Sequence, residues 1–181
     1  LYNTNDNDFT LKGKMGRELR TMTVGVMGTG KIGYTVIKCL SGFGCRILAN
    51  DVYQNDAVRQ YAEYVDLDTL YRESDIITIH TPLLPETTGM INREALAKMK
   101  DGVVIINVSR GSNVDEAALL EGLNSGKVKA AGLDVWMSEK EPNWALAQHP
   151  AVSCTPHIGA GTKEAQKRIG AELVDIVENF G

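Results

Sequence analysis

Two side chains in this sequence sit where the text around them could make chemistry of them. His157 follows Thr155-Pro156, and Arg110 follows the most apolar stretch of the chain, Val103 to Val108. Histidine titrates near neutral pH and is the usual general acid–base residue. Taken alone, a histidine beside a proline is more often structural. A guanidinium matches a carboxylate through two parallel hydrogen bonds; the alternative for Arg110 is a loop held by backbone contacts. A third feature is the run Gly28-Thr29-Gly30-Lys31-Ile32-Gly33, a G-x-G-x-x-G between an apolar strand and a helix. In that setting the first glycine permits the tight turn, the second lets backbone approach a pyrophosphate, and the third lets helix pack on strand. The helix start offers free N–H groups and partial positive charge to phosphates. Asp51 closes the next strand, 18 residues after Gly33. An acid at about that offset accepts hydrogen bonds from an adenosine ribose and repels a 2′-phosphate. Together these favour NAD over NADP, although Arg46 and Arg59 lie in the same region.

The elements that must position these residues alternate. Strands are expected at Met22–Met27, Cys45–Asn50, Asp75–His80, Val103–Val108, Val128–Val135 and Ala151–Cys154. Helices are expected at Lys31–Ser41, Arg93–Met99, Asp115–Asn124 and Thr162–Asn179, the last with Ile169, Leu173, Ile176 and Val177 at helical spacing. Gly42 and Gly44 stop the first helix, and Gly126 follows the third. Strand after helix after strand is the pattern of a doubly wound α/β sheet. Val103 to Val108 is apolar on both faces, which suits a parallel strand covered by helices. Such sheets bind ligands beyond the carboxyl ends of their strands, which is where Arg110 falls. Residues 1–20 carry no strand pattern and read as an arm or connector ahead of a domain spanning 21–181.

With 181 residues, the chain has the length of one domain at about 150 residues each. Its formal charge of −4, with 43% apolar and 23% charged residues, is that of an ordinary globular protein. Nucleic-acid binding is not expected without a basic patch. No apolar run approaches the roughly 18 residues of a membrane span, and the polar start is not a signal peptide. Cys39, Cys45 and Cys154 are odd in number and irregular in spacing. They read as reduced thiols in a partly buried setting, which points to a cytoplasmic protein. Cys154 and His157 lack a matching second pair, so no metal is expected.

Five motifs occur in order: Gly28-Thr29-Gly30-Lys31-Ile32-Gly33, His80-Thr81-Pro82-Leu83, Asn107-Val108-Ser109-Arg110-Gly111, Gly132-Leu133-Asp134-Val135-Trp136 and Thr155-Pro156-His157-Ile158-Gly159. From about Gly16 onward the chain resembles the nucleotide-binding domain of the D-isomer-specific 2-hydroxyacid dehydrogenases, a Rossmann-type fold. Ile158 to Gly170 leans toward the D-3-phosphoglycerate dehydrogenases, and Thr23 to Tyr53 equally toward D-lactate dehydrogenase relatives.

The resemblance implies hydride transfer between NAD and a D-2-hydroxy or 2-oxo acid. Arg110 would hold the substrate carboxylate and polarise its carbonyl, and His157 would take the hydroxyl proton. A carboxylate beside His157 would stabilise imidazolium and orient the ring. The family places it five residues beyond the strand aspartate, which from Asp134 gives Glu139. The usual glutamate directly precedes proline, whereas here Lys140 and Glu141 come before Pro142, so Glu141 competes. Glu139 is preferred because an offset counted from a strand is stiffer than one counted from a loop proline. Asp134 would stand near the nicotinamide or the Arg–His pair. His80, Thr81, Pro82, Thr87, Val108, Ser109 and Gly159 would line the cofactor cleft beside Gly28, Gly30, Lys31, Ile32, Gly33 and Asp51. His149 has a weaker claim. The resemblance also implies a homodimer formed through this domain, and a second, substrate-binding domain for which the chain has no room. The chain is therefore read as an excised piece that binds cofactor and lacks turnover. The rival reading is a non-catalytic NAD-binding or assembly module, against which Arg110, Glu139 and His157 argue.

Overall fold

The computed structural model describes residues 15–180; most of the expected arm, residues 1–14, lies outside them. Seven strands form one sheet: β1 (Thr23–Met27), β2 (Arg46–Asn50), β3 (Glu63–Tyr64), β4 (Ile76–Ile79), β5 (Val103–Asn107), β6 (Val128–Leu133) and β7 (Val152–Cys154). Every pairing is parallel and the order is β3-β2-β1-β4-β5-β6-β7. The order reverses between β1 and β4, and the loops leaving these two strands open the crevice that such sheets use for ligands.

The helices are α1 (Lys31–Ser41), α2 (Leu67–Glu73), α3 (Arg93–Lys98), α4 (Glu116–Ser125), α5 (Trp144–Ala147) and α6 (Lys163–Glu178). Side chains fix most of their starts. Asp66, Asn92, Asp115, Asn143 and Thr162 each accept a backbone N–H from the first turn of α2 to α6, relieving donors that a helix start leaves unpaired. Gly126, at φ +80°, ends α4 in a left-handed cap.

Two apolar clusters hold the layers. Ile37 of α1 packs with Val24, Val26, Ile47, Ala49 and Val58 on one face of β1 and β2. On the other side Leu70, Leu96, Leu119, Leu123 and Leu146 pack with Ile77, Ile79, Val103 and Ile105. The strands at the carboxyl half are covered unevenly: along β5, Val103, Ile105 and Asn107 are buried, while Val104 and Ile106 are only half-buried. Helices flank the sheet as expected, and only the degree of cover along β5 is less than its apolar run suggests. The apolar stripe of α6 is not buried either, since that helix buries none of its residues. The short strand β3 and helices α2 and α5 were not anticipated; two to seven residues carry too little periodicity to read. The three cysteines are free, but Cys39 and Cys154 are exposed rather than partly buried.

Candidate functional site

The glycine loop leaves β1 with Gly28 at φ +88°, a left-handed conformation in which a Cβ would lie 2.8 Å from the His80 carbonyl. A Cβ on Gly33 would lie 1.9 Å from the Gly28 carbonyl oxygen, so α1 approaches β1 as closely as backbone allows. Gly30, by contrast, is exposed with nothing within 4 Å of the same point. It caps α1 without a side chain, leaving the first-turn N–H groups at the surface beside exposed Lys31 and Ile32. This is a cradle with open space where a pyrophosphate would approach. Asp51 stands across from it. Its Oδ2 accepts from the Thr29 N–H at 2.6 Å and from Thr29 Oγ1 at 3.1 Å, and its Oδ1 accepts from the Tyr53 N–H at 3.1 Å. Arg46 pairs with Glu63 and Glu73, and Arg59 pairs with Asp56 and lies over the Tyr64 ring. Both guanidiniums are thus engaged away from the carboxylate. The residues fit an adenosine ribose without a 2′-phosphate.

The opposite wall begins at His80, whose N–H donates to Met27 O at 2.7 Å and whose Nε2 meets Thr78 Oγ1 at 3.0 Å. Burial pushes its pKa down to about 4, so the imidazole is neutral. The Thr81 carbonyl accepts from Ser109 Oγ and from Asn113 Nδ2, and Asn113 Nδ2 also reaches Thr81 Oγ1 at 2.7 Å. These bonds tie the loop after β4 to the loop after β5. Thr87 Oγ1 donates to Pro82 O at 2.6 Å and so closes the next turn. Val108, in the loop after β5, is exposed.

The candidate reacting groups stand on the three loops that leave β5, β6 and β7. Asn107 clamps the first, accepting from the Ser109 N–H at 3.1 Å and donating to Arg110 O at 2.9 Å. The exposed Arg110 guanidinium donates to Ser109 O at 2.8 Å. Gly111 packs directly on the next loop, where a Cβ would meet the Trp136 carbonyl carbon at 1.9 Å. That loop is anchored again by Glu116 Oε1, which accepts the Met137 N–H at 2.8 Å. Asp134 is buried, and its carboxylate holds the third loop: Oδ1 accepts from Thr155 Oγ1 at 2.5 Å and the Ile158 N–H at 2.9 Å, Oδ2 from the Gly159 N–H at 3.0 Å. Burial alone would raise its pKa, but these donors and the neighbouring His157 outweigh it and hold the carboxyl below its ordinary value.

His157 tops this loop with φ +55°, the one non-glycine residue in the left-handed region among the described residues. Its Nδ1 lies 2.5 Å from Glu139 Oε1. The Glu141 N–H donates to Ser138 Oγ at 3.3 Å, and among the described residues its carboxylate is not paired with His157. His149 lies apart, its Nδ1 accepting the Ala151 N–H within its own turn. The chain therefore brings Glu139 and His157 together, with Arg110 on the loop two strands away. Thr29 and Thr155 fall inside the sequence motifs but are given no role there by sequence reading, which misses Tyr64, Asn113 and Glu116 altogether; all five residues hold the loops. Tyr64, Asn113 and Glu116 follow no spacing rule, so the sequence offered no signal for them.

Among the described residues no helix is long and apolar enough to cross a membrane, and no cluster of three or more potential metal ligands occurs. Residues 2–159 match the family described as D-isomer specific 2-hydroxyacid dehydrogenase, NAD binding domain. A hydroxypyruvate reductase of Thermotoga maritima is 49% identical over 167 residues, which is 91% of this chain and 54% of that protein. A D-3-phosphoglycerate dehydrogenase of Mycobacterium tuberculosis is 43% identical over 164 residues, covering 90% of this chain and 31% of that one. Among solved structures, a D-lactate dehydrogenase from Aquifex aeolicus complexed with NAD and lactic acid superposes with a TM-score of 0.86 at 37% identity, covering 92% and 55% of the two chains. The chain spans about half the length of the hydroxypyruvate reductase and of the solved lactate dehydrogenase, and less of the phosphoglycerate dehydrogenase.

Proposed function

This chain belongs to the D-isomer-specific 2-hydroxyacid dehydrogenases, as their NAD-binding domain, and from that premise we propose that the complete protein interconverts a D-2-hydroxy acid and its 2-oxo acid. Bound NAD supplies the hydride acceptor or donor. The protein's own residues do the rest. Arg110 binds the substrate carboxylate through its guanidinium. In oxidation His157 takes the hydroxyl proton on Nε2, the ring nitrogen opposite Glu139, and in reduction it returns that proton to the oxygen. Glu139 orients the ring and favours its protonated form. Asp134 holds the histidine loop in register. The glycine loop with Lys31, Ile32 and Asp51 takes the adenosine half, and His80, Thr81, Pro82, Thr87, Val108, Ser109 and Gly159 line the remainder.

The observation that carries this reading is the 2.5 Å approach of His157 Nδ1 to Glu139 Oε1 at the mouth of a dinucleotide crevice. A module that only binds NAD has no use for such a pair. The substrate is a small 2-oxo acid of the kind named for the relatives: hydroxypyruvate, lactate's oxidised form, or a phosphorylated three-carbon acid. The protein works in the cytoplasm as a homodimer formed through this domain; the free thiols support the first, and the family resemblance the second. The test is NADH oxidation by the complete protein with pyruvate, hydroxypyruvate and phenylpyruvate, and NAD reduction with D- and L-lactate and D-3-phosphoglycerate. Turnover of at least one acid, confined to the D-isomer, is expected. NADH binding without turnover of any of them would leave a binding module instead.

A further inference from the structure

Tyr64 is one of two residues in β3, paired beside Ala49 of β2 and so within reach of the loop that carries Asp51. Its hydroxyl lies 2.7 Å from Thr29 Oγ1 and 3.0 Å from the Asn55 N–H. Thr29 is buried at the heart of the glycine loop, and its Oγ1 also lies 3.1 Å from Asp51 Oδ2. Proton counting fixes the direction of these bonds. The Asp51 carboxylate can only accept, so Thr29 spends its one hydroxyl proton there. The Thr29 oxygen is then an acceptor, and Tyr64 must donate to it. The Tyr64 oxygen in turn accepts from Asn55. The series runs Asn55 N–H to Tyr64 hydroxyl to Thr29 hydroxyl to Asp51 Oδ2, each group used once as donor.

This series has a consequence for the carboxylate. Oδ2 receives both the Thr29 N–H and the Thr29 hydroxyl, which fills its two acceptor positions. Oδ1 receives the Tyr53 N–H and, among the described residues, keeps one position open. We propose that Tyr64 is a positioning residue for cofactor recognition: acting through Thr29, it fixes the rotation of the Asp51 carboxylate so that Oδ1 is the oxygen offered to a ribose hydroxyl. The proposal rests on the reading of Asp51 as the ribose acceptor and adds the residue that sets its orientation. Without the tyrosine hydroxyl, the Thr29 hydroxyl loses its outer partner and is free to turn from Oδ2, so the carboxylate keeps only the Thr29 and Tyr53 N–H groups and is held less firmly. A ribose hydroxyl needs that rotation, whereas a 2′-phosphate is repelled by either oxygen.

The experiment is calorimetric titration of this chain with NADH and with NADPH, alongside Tyr64→Phe, Thr29→Val, Thr29→Ser and the Tyr64→Phe/Thr29→Val pair. Tyr64→Phe is expected to weaken NADH by about 3- to 10-fold, the worth of one net hydrogen bond, while NADPH changes little, so the preference narrows. Thr29→Val should do at least as much, and the double variant should be no weaker than Thr29→Val alone, because the two links are in series. Thr29→Ser, which keeps the hydroxyl, should retain the unsubstituted affinity. Equal weakening of NADH and NADPH by Tyr64→Phe, additive loss in the double variant, or loss in Thr29→Ser as large as in Thr29→Val would each overturn the proposal. An unsubstituted chain that binds neither cofactor would remove the ribose reading of Asp51, and the role of Tyr64 with it.

Discussion

Thr29, in the glycine loop, is 3% exposed, whereas the His157 and Glu139 side chains at the other end of the crevice are 43% and 55% exposed. The nucleotide end is built from backbone groups and buried polar contacts that are satisfied within the chain. The candidate reacting end is built from tips. Arg110, Glu139 and His157 reach into solvent, and what is ordered about them lies underneath: Asn107 below Arg110, Glu116 below the Glu139 loop, Asp134 below His157. The difference teaches where each kind of specificity is stored. A dinucleotide is read by fixed N–H groups and by glycines that admit close approach. An ion pair in water is worth little, and the same pair strengthens once substrate and neighbouring surface exclude the water. The histidine–glutamate pair is thus already formed in this chain, and any surface that excludes water from it would strengthen it.

The sharpest way to break this comparison is His157→Asn in the complete protein. Asparagine tolerates the left-handed backbone but carries no titrating proton, so kcat should fall by about 10² to 10⁴-fold with NADH affinity nearly unchanged by calorimetry. A comparable loss of NADH binding would mean that the two ends are not separable.

The next effect belongs to the nucleotide end and reads as stability against pH. His80 is held neutral, with a folded pKa near 4 against an ordinary 6.5. Above pH 6.5 neither state carries the charge; as pH falls below it, the unfolded chain takes up a proton that the folded chain refuses. Stability is therefore lost between about 6.5 and 4, by roughly 3 kcal/mol, and then levels off with respect to this group. Urea denaturation of His80→Gln across that range should show a flatter slope than the unsubstituted chain, whatever its absolute stability. The Asp134 and Asp75 carboxyls, both held below their ordinary values, shed their contribution only as pH falls through the acid range.

A smaller effect distinguishes the two glutamates. Glu139→Gln should lower kcat for reduction about tenfold, the loss of one charge-assisted hydrogen bond. Glu141→Gln should leave kcat within a factor of two, because its carboxylate takes no part in the pair. Reversal of that order in steady-state kinetics would return Glu141 to the site.

The strands, the first helix and the glycine loop were legible because each is a local pattern. An apolar run, a glycine triplet and an acid at the next strand end need no tertiary knowledge, and Lys31–Ser41 appears with the expected bounds. Glu139 was reachable because the family resemblance supplied an offset of five residues from the strand aspartate Asp134, and an offset counted from a strand favoured it over Glu141. Tyr64 and Glu116 were not, since each acts across elements, on a loop 35 residues away in one case and 21 in the other. Nor could spacing reveal that the apolar stripe Ile169, Leu173, Ile176 and Val177 would stand exposed on α6: periodicity tells which face is apolar, not what covers it.

The left-handed backbone at His157 carries a cost that selection on the fold alone would remove. A branched or bulky residue at φ +55° is held there against about 1 kcal/mol or more of steric preference. Glycine at this position relaxes the turn, because it carries no Cβ. A population of variants chosen only for melting temperature should therefore discard the histidine, and one chosen for turnover should keep it. On the role proposed for His157, durability and activity pull this single residue in opposite directions, so a thermostabilised version of the protein needs its gains from positions other than this loop.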